Sequence, residues 1–367
     1  MRTRVSSSLG LGVAVLGVVA ALVGCARITQ SGPVTTTSSS GDPTAVYTLT
    51  PASNSSLVYS ARTVSFALDR IDQRRPPLDR TYRHAGTGKG VTVYVFDGGV
   101  AADHPELAGR VRTGFTGFPG DAKICNAHGT AVAGAVAGAT LGVAPNAEVV
   151  DVKMVQCDKL RGTIKAIVDG ARWVIEDHKT HPGPAVANWS FIADTSSHIP
   201  ALDSAVVALR DAGIAVVVSA GNLDIDACRV SPGNATGTIV VGASAVDTQV
   251  RDGATPQTVD RRAPGTAWGP CIDIYAPGDS VLLPSLDRDM RPIAQLWNGT
   301  SMSAGYVSGA AALYLEAHPN ATPDQVAEAL KRNATADVVL DPRATYSRML
   351  YVGAWAAVPT ERIALRR

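Results

Sequence analysis

The sequence lacks a charge imbalance: 33 Lys and Arg stand against 32 Asp and Glu, and only 18% of its 367 residues are charged. A dedicated nucleic-acid binder would carry a basic surplus, and a disordered chain would combine few apolar residues with a large net charge. With 46% hydrophobic residues and a net charge of +1, the chain fits neither class. It also lacks any Cys-x-x-Cys or His-x-x-x-His spacing, which argues against a zinc cluster. What it does have is 35 Gly and 22 Pro, the mark of a turn-rich, enzyme-sized fold rather than a helical bundle.

Residues 1–24 read as an export signal: Arg2 and Arg4 precede the apolar run Val13–Val23, which is short for a helix that spans a bilayer. The run ends Leu22-Val23-Gly24-Cys25, which resembles the lipobox of bacterial lipoproteins. That resemblance implies cleavage before Cys25 and a diacylglyceryl group on its thiol; an ordinary signal and a short membrane anchor are the other readings. Two acyl chains, at about 0.8 kcal/mol per buried methylene, suffice for stable anchoring where one does not. From Ala26 to Thr63 the chain is rich in Ser, Thr, Pro and Gly, as in Thr35-Thr36-Thr37-Ser38-Ser39-Ser40-Gly41. Residues 25–63 therefore read as a lipidated Cys and a flexible tether that averages roughly 34 Å end to end.

Beyond the tether, short apolar runs alternate with helical stretches. Val91–Phe96, Ala147–Met154, Ala185–Ser190, Ile214–Ala220 and Thr238–Gly242 have the continuous apolar character of strands buried on both faces. Thr163–Ile175 and Ala201–Ala212 show helical spacing, with Gly213 placed to end the second. These repeats predict an α/β fold with a mostly parallel central sheet flanked by helices. Thr322-Pro323-Asp324-Gln325 supplies an N-cap, a first-turn Pro and a capping-box Gln for a helix over Val326–Arg332.

Reactive groups in such a sheet sit at the carboxyl ends of strands. The first strand ends Val95-Phe96-Asp97-Gly98-Gly99, with a carboxylate at the strand mouth. Cys125-Asn126-Ala127-His128-Gly129-Thr130 sets a His at the start of a Gly- and Ala-rich helix, and Asn298-Gly299-Thr300-Ser301-Met302-Ser303 sets a Ser at the start of the apolar helix Met302–Leu315. Free N–H groups at a helix start favour developing negative charge. Singly, Asp97 could be a turn former, His128 a cap and Asn222 a turn residue after Gly221.

Together the three segments resemble the subtilase family of serine peptidases, and more closely its proteinase K-like branch, over about residues 64–356. Ala67-Leu68-Asp69-Arg70-Ile71-Asp72-Gln73 through Gly90 looks like the start of a mature domain of that branch. Ser219-Ala220-Gly221-Asn222 matches the segment that carries an oxyanion-hole Asn. The resemblance implies a subtilisin-like single catalytic domain at 64–356, followed by a tail at 357–367. It implies that Ser301 attacks the scissile carbonyl, that His128 moves the proton, that Asp97 orients the imidazole, and that Asn222 with the Ser301 N–H stabilises the oxyanion. Substrate would lie along Ser190, Phe191 and Ile192 and along Ser219, Ala220 and Gly221.

Set apart from Cys25, four cysteines remain in an exported chain and allow three disulfide pairings. The family positions favour Cys125–Cys157 and Cys228–Cys271. They also place a structural calcium on Asp273, with backbone carbonyls near Thr236 and Thr238; the other reading of Asp273 is a turn cap.

The departures from the family carry expectations too. The substrate-pairing segments read Ser190-Phe191-Ile192-Ala193 and Cys157-Asp158-Lys159-Leu160-Arg161, so bulk replaces glycine at Ile192. That predicts obstruction of extended substrates or a demand for small residues. Gly305-Tyr306 replaces a Pro-His and Gly98 replaces a hydroxyl residue, changes expected to loosen the helix start and to remove a contact to Asp97. Residues 26–63 are too short and polar for the usual propeptide, which suggests unaided folding or a separate folding chaperone.

The sequence thus predicts a monomeric serine endopeptidase acting on exported polypeptides, lipid-anchored at the outer face of a bacterial cytoplasmic membrane or cell envelope. It predicts no catalytic cofactor and no nucleic-acid partner. The alternatives are a weak or inactive subtilase-like peptide-binding protein and an acyl-transferring ligase.

Overall fold

A computed structural model of the chain describes residues 47–48, 65–121, 123–193, 198–249 and 257–353. The signal at 1–24, Cys25, most of the tether and the tail at 357–367 lie outside the described residues. Chain contacts divide the protein into Met1–Ser31 and Gly32–Arg367, and every described residue belongs to the second unit.

Seven parallel strands carry that unit: β1 (Thr92–Asp97), β2 (Val111–Thr116), β3 (Glu148–Lys153), β4 (Ala185–Trp189), β5 (Ala215–Ser219), β6 (Ile239–Gln249) and β7 (Ile274–Pro277). They lie in the order β2-β3-β1-β4-β5-β6-β7. Arg348–Met349 extends the sheet in parallel beyond β7, Thr335–Ala336 caps it antiparallel, and Gln257–Arg262 pairs antiparallel with the far part of β6. Successive side chains of a strand point to opposite faces, so a strand buried on both sides must be apolar throughout. In β1, Val93 and Val95 enter one core while Tyr94 and Phe96 enter the other.

Among the described residues six α-helices cover the two faces: α1 (Phe66–Ile71), α2 (His128–Ala137), α3 (Ile164–Thr180), α4 (Pro200–Asp211), α5 (Thr300–Ala317) and α6 (Pro323–Asn333). The Val93 face holds α2 and α5, and the Tyr94 face holds α3 and α4. Every residue of α5 from Thr300 to Leu315 is buried, which is why this helix has no polar face. Its close contact with α2 requires small residues. A methyl group on Gly305 would lie 2.8 Å from Ala135 Cβ and 3.0 Å from Val132 O. Gly305 therefore does not loosen the helix start as expected; α5 runs unbroken, and Gly305 lets α2 approach it.

The capping box forms as predicted, with Gln325 N donating to Thr322 Oγ1 at 3.3 Å and Thr322 N to Gln325 Oε1 at 2.8 Å. The tether reading is departed from at one point. Tyr47–Thr48, inside the expected tether, pairs antiparallel with Pro292–Trp297, and that strand pairs in turn with Val281–Leu286. A buried ion pair, Arg70 Nη2 to Asp260 Oδ2 at 2.6 Å, ties α1 to the Gln257–Arg262 strand.

Candidate active site

β1 delivers Asp97 at the point where the strand order reverses, and the following Gly98-Gly99 turn lets the chain leave the sheet sharply. The Asp97 carboxyl group is buried and accepts Gly98 N at Oδ1, 2.7 Å away. Its other oxygen, Oδ2, is 2.8 Å from His128 Nδ1. A carboxylate only accepts, so the proton of the neutral imidazole sits on Nδ1 and Nε2 is left as the acceptor. Asn126 Oδ1 accepts His128 N at 2.9 Å and starts α2 there. The Trp297 ring stands edge-on to the imidazole, centroids 6.1 Å apart. Burial depresses the His128 pKa, but the charge and hydrogen bond of Asp97 outweigh it, and the net displacement is upward.

Ser301 is the second residue of α5, buried among the free amides of the helix start. Its Oγ donates to Ser190 O at 3.2 Å, and Ser190 Oγ donates back to Ser301 O at 3.1 Å. Among the described residues no hydrogen bond joins Ser301 Oγ to His128. The same Ser190 hydroxyl hydrogen is shared with Asn188 Oδ1 at 2.8 Å, and Asn188 Nδ2 donates to Ser308 Oγ, so a buried polar chain ties the end of β4 to α5.

Thr300 organises the opposite wall. Its N–H and its hydroxyl both donate to Asn222 Oδ1, at 2.9 and 3.0 Å, while its hydroxyl accepts Gly221 N at 3.1 Å. With its oxygen engaged, the exposed Asn222 keeps its Nδ2 donors for a ligand. A side chain at Gly299, whose φ is +134°, would begin only 3.1 Å from that Nδ2. Ser301 thus stands at a helix N-terminus next to the residue that holds Asn222, and a half-buried Asp97–His128 couple forms at the end of β1, the kinds of group that stabilise an oxyanion and move a proton.

The sequence profile of the Subtilase family matches residues 88–349. The chain belongs to the subtilase family. It is 40% identical over 277 residues to an extracellular serine proteinase of Thermus sp. (strain Rt41A), covering 75% of this chain and 62% of that one. It is 37% identical over 288 residues to alkaline serine exoprotease A of Vibrio alginolyticus, covering 78% of this chain and 50% of that one. The chain thus spans between half and two thirds of the length of these relatives. A crystal structure of a cold adapted subtilisin-like serine proteinase superposes with a TM-score of 0.69 at 36% identity, covering 80% of this chain and 99% of the other.

The subtilase has both disulfides that the resemblance favoured, Cys125–Cys157 and Cys228–Cys271. The first anchors the segment leading to His128. The expected substrate edge at 157–161 is the tip of a small hairpin in which Val155–Gln156 pairs with Arg161–Gly162. A turn forms there because Leu160 adopts a positive φ of 50°.

The surroundings of Asp273 fit calcium poorly. Asp273 Oδ2 accepts Val240 N at 3.0 Å, and Lys331 Nζ stands 4.0 Å from Oδ1. Burial raises the pKa of this carboxyl, and the charges of Lys331 and Arg348 already oppose that rise. A divalent ion that takes six to eight oxygens would find a single carboxylate here, with the Lys331 ammonium, itself paired with Glu328 Oε1 at 2.5 Å, as a neighbour. The backbone carbonyls expected near Thr236 and Thr238 lie just before β6, whose Val240 N already binds Asp273 Oδ2. A second grouping, Asp121 with Cys125 and Cys157, has its sulfurs bonded to each other, and Asp121 Oδ2 already faces Lys153 Nζ at 3.3 Å.

Three site residues escaped the sequence reading. Thr300 was visible only as a neighbour of Ser301, and Trp297 precedes the Asn298-Gly299 turn without any motif of its own. Asp151 sits on β3 opposite Val95 of β1, inside a run that reads as buried strand. Its Oδ2 accepts Val100 N at 3.2 Å, and its Oδ1 is buried with no partner. Burial, with Asp97 adding like charge, pushes its pKa up to about 7.

Proposed function

We propose that this subtilase is an exported serine endopeptidase of the proteinase K-like branch, working through Asp97, His128 and Ser301. The observation that carries the reading is the 2.8 Å contact between Asp97 Oδ2 and His128 Nδ1 on the strand mouth that also faces the Ser301 helix. His128 Nε2 takes the Ser301 proton as Oγ adds to the scissile carbonyl, and Asn222 Nδ2 with the Ser301 N–H receives the oxyanion. The imidazolium, held by Asp97, gives its proton to the leaving amine. Water then repeats the sequence on the acyl-enzyme and frees Ser301. No cofactor enters these steps. The Ser301 hydroxyl leaves Ser190 O for His128 when substrate arrives, since nucleophile contacts commonly tighten only in the substrate complex.

The lipobox-like Leu22-Val23-Gly24-Cys25 supports a lipid anchor on Cys25 and a location at the outer face of a bacterial membrane, where the enzyme acts on polypeptides. A second reading, a subtilase-like protein that holds peptides without turnover, is favoured by the bond from Ser301 Oγ to Ser190 O. Casein digestion by the full chain separates the two readings. New amino termini that disappear in Ser301→Ala support the peptidase; a folded wild-type chain that binds casein without cleaving it supports the second. Fatty-acid labelling in cells tests the anchor: label should be lost in Cys25→Ala, and equal labelling of both chains would refute it.

A further inference from the structure

Ser301 lies between two chain exits, residues 190–192 leaving β4 and residues 220–222 leaving β5. On one side Ser190 is bonded to Ser301 in both directions, and on the other Thr300 holds Gly221 and Asn222. Ser219 Oγ donates across the gap to Phe191 O at 3.4 Å. The Phe191 ring turns inward and stacks on Trp189, centroids 5.3 Å apart, against the core beneath β4 and β5. The Ile192 side chain instead meets Gly221. A methyl group on Gly221 would lie 2.9 Å from Ile192 Cδ1 and 3.2 Å from its Cγ2. Ile192 therefore rests directly on the bare backbone of Gly221, whose φ is +100°.

Resting on the peptidase reading, we infer that Ile192, lying across Gly221 beside Ser301, restricts the substrate residue on the N-terminal side of the cleaved bond to glycine, alanine or serine. In the acyl-enzyme that residue's carbonyl carbon is bonded to Ser301 Oγ and its oxygen faces Asn222. Its side chain starts one bond further on, between the same two exits, in the space that the Ile192 side chain fills. A hydrogen, methyl or hydroxymethyl group fits beside Ile192, whereas Leu, Phe or Lys must displace it. The substrate class is thus a polypeptide presenting a small residue at the cut. Each methylene group that such a pocket cannot take up costs about 10- to 200-fold in kcat/KM.

The test uses the full chain and three phosphonate probes that modify an activated serine. One is a small fluorophosphonate that needs no pocket; the others are peptidyl diphenyl phosphonates identical except for an alanine or a phenylalanine side chain beside phosphorus. The wild type should react with the fluorophosphonate, and with the alanine probe at least about 100-fold faster than with the phenylalanine probe. Ile192→Gly should shrink that ratio to about 10-fold or less, with Ile192→Ala between. Equal wild-type rates with the two peptidyl probes, or an unchanged ratio in folded variants, would overturn the assignment of Ile192 alone. Failure of the folded wild type to react with the fluorophosphonate would overturn the peptidase reading and this inference with it.

Discussion

Thr300 and Asn222 are joined by two hydrogen bonds to one atom: the Thr300 amide and hydroxyl both donate to Asn222 Oδ1, at 2.9 and 3.0 Å. The amide oxygen is thereby occupied by the residue preceding Ser301, and only the Nδ2 group is left to serve a ligand. In the proposed mechanism Asn222→Ala lowers kcat by about 100- to 1000-fold with KM little changed. Thr300→Val removes one of these two bonds and also the hydroxyl that accepts Gly221 N, and should lower kcat by roughly 10-fold, the equivalent of about 1.4 kcal/mol. Steady-state kinetics beside thermal unfolding checks this, because a purely structural role for Thr300 would lower Tm and leave kcat unchanged.

The pH dependence follows from the couple at the end of β1. In the proposed mechanism His128 must be neutral to accept the Ser301 proton, and Asp97 raises its pKa above the ordinary value of 6.5 against the effect of burial. The acid limb of kcat/KM should therefore have its midpoint above pH 6.5, with activity lost as pH falls through it. Asp97→Asn removes the charge, so the midpoint should move down while activity drops by orders of magnitude. A pH–rate profile with an unmoved midpoint would separate the acid limb from His128.

Asp151 supplies a stability prediction of opposite sign from the usual carboxylate. Its pKa is pushed up to about 7 by burial and by the nearby Asp97, against the Val100 N–H and Lys153. The folded state then binds a proton that the unfolded state has released, so stability falls as pH rises from about 4 to 7. At about 1.4 kcal/mol per tenfold change in proton affinity, keeping Asp151 ionised at pH 8 costs on the order of 4 kcal/mol. Asp151→Asn should raise Tm at pH 8 and change it little at pH 4, a comparison that calorimetry makes directly. An equal effect at both pH values would contradict the raised pKa.

The two disulfides close segments of 32 and 43 residues. Constraint of the unfolded chain by loops of that size is worth up to about 4 kcal/mol each, so removing either bridge by paired Cys→Ser changes should lower Tm by roughly 4–16 °C. Loss of Cys125–Cys157 should also lower kcat, because Cys125 lies three residues before His128; loss of Cys228–Cys271 should not do so to the same degree. Thermal scans with parallel turnover measurements decide both points.

The parts of the site that were legible in the sequence are those announced by local chemistry. The apolar run before Asp97, the Gly- and Ala-rich helix after His128 and the capping box at Thr322 each carry their cause in adjacent residues. The parts that were not legible depend on neighbours distant in the chain. β2 is a half-exposed edge strand, and Arg112, Thr113 and Gly114 give it no apolar signature. The hairpin that brings Trp297 to His128 contains Pro284 and Pro292, which disguise it as loop. Asp273 reads as a cation ligand until α6 brings Lys331 to it, and Gly305 reads as a weak point until α2 is packed against it. Asp151 interrupts Val149-Val150 and Val152 with a charge, and only the pairing of β3 with β1, which sets it opposite Val95 two residues before Asp97, brings it near that carboxylate.

Covalent labelling of the full chain by a fluorophosphonate, beside Ser301→Ala and His128→Ala, tests the central claim most directly, since the probe needs an activated serine and little of the cleft. The account predicts rapid stoichiometric labelling of the wild type, none of Ser301→Ala, and at least a hundredfold slower reaction of His128→Ala. A folded wild type that resists the probe, or labelling that persists in Ser301→Ala, would contradict it.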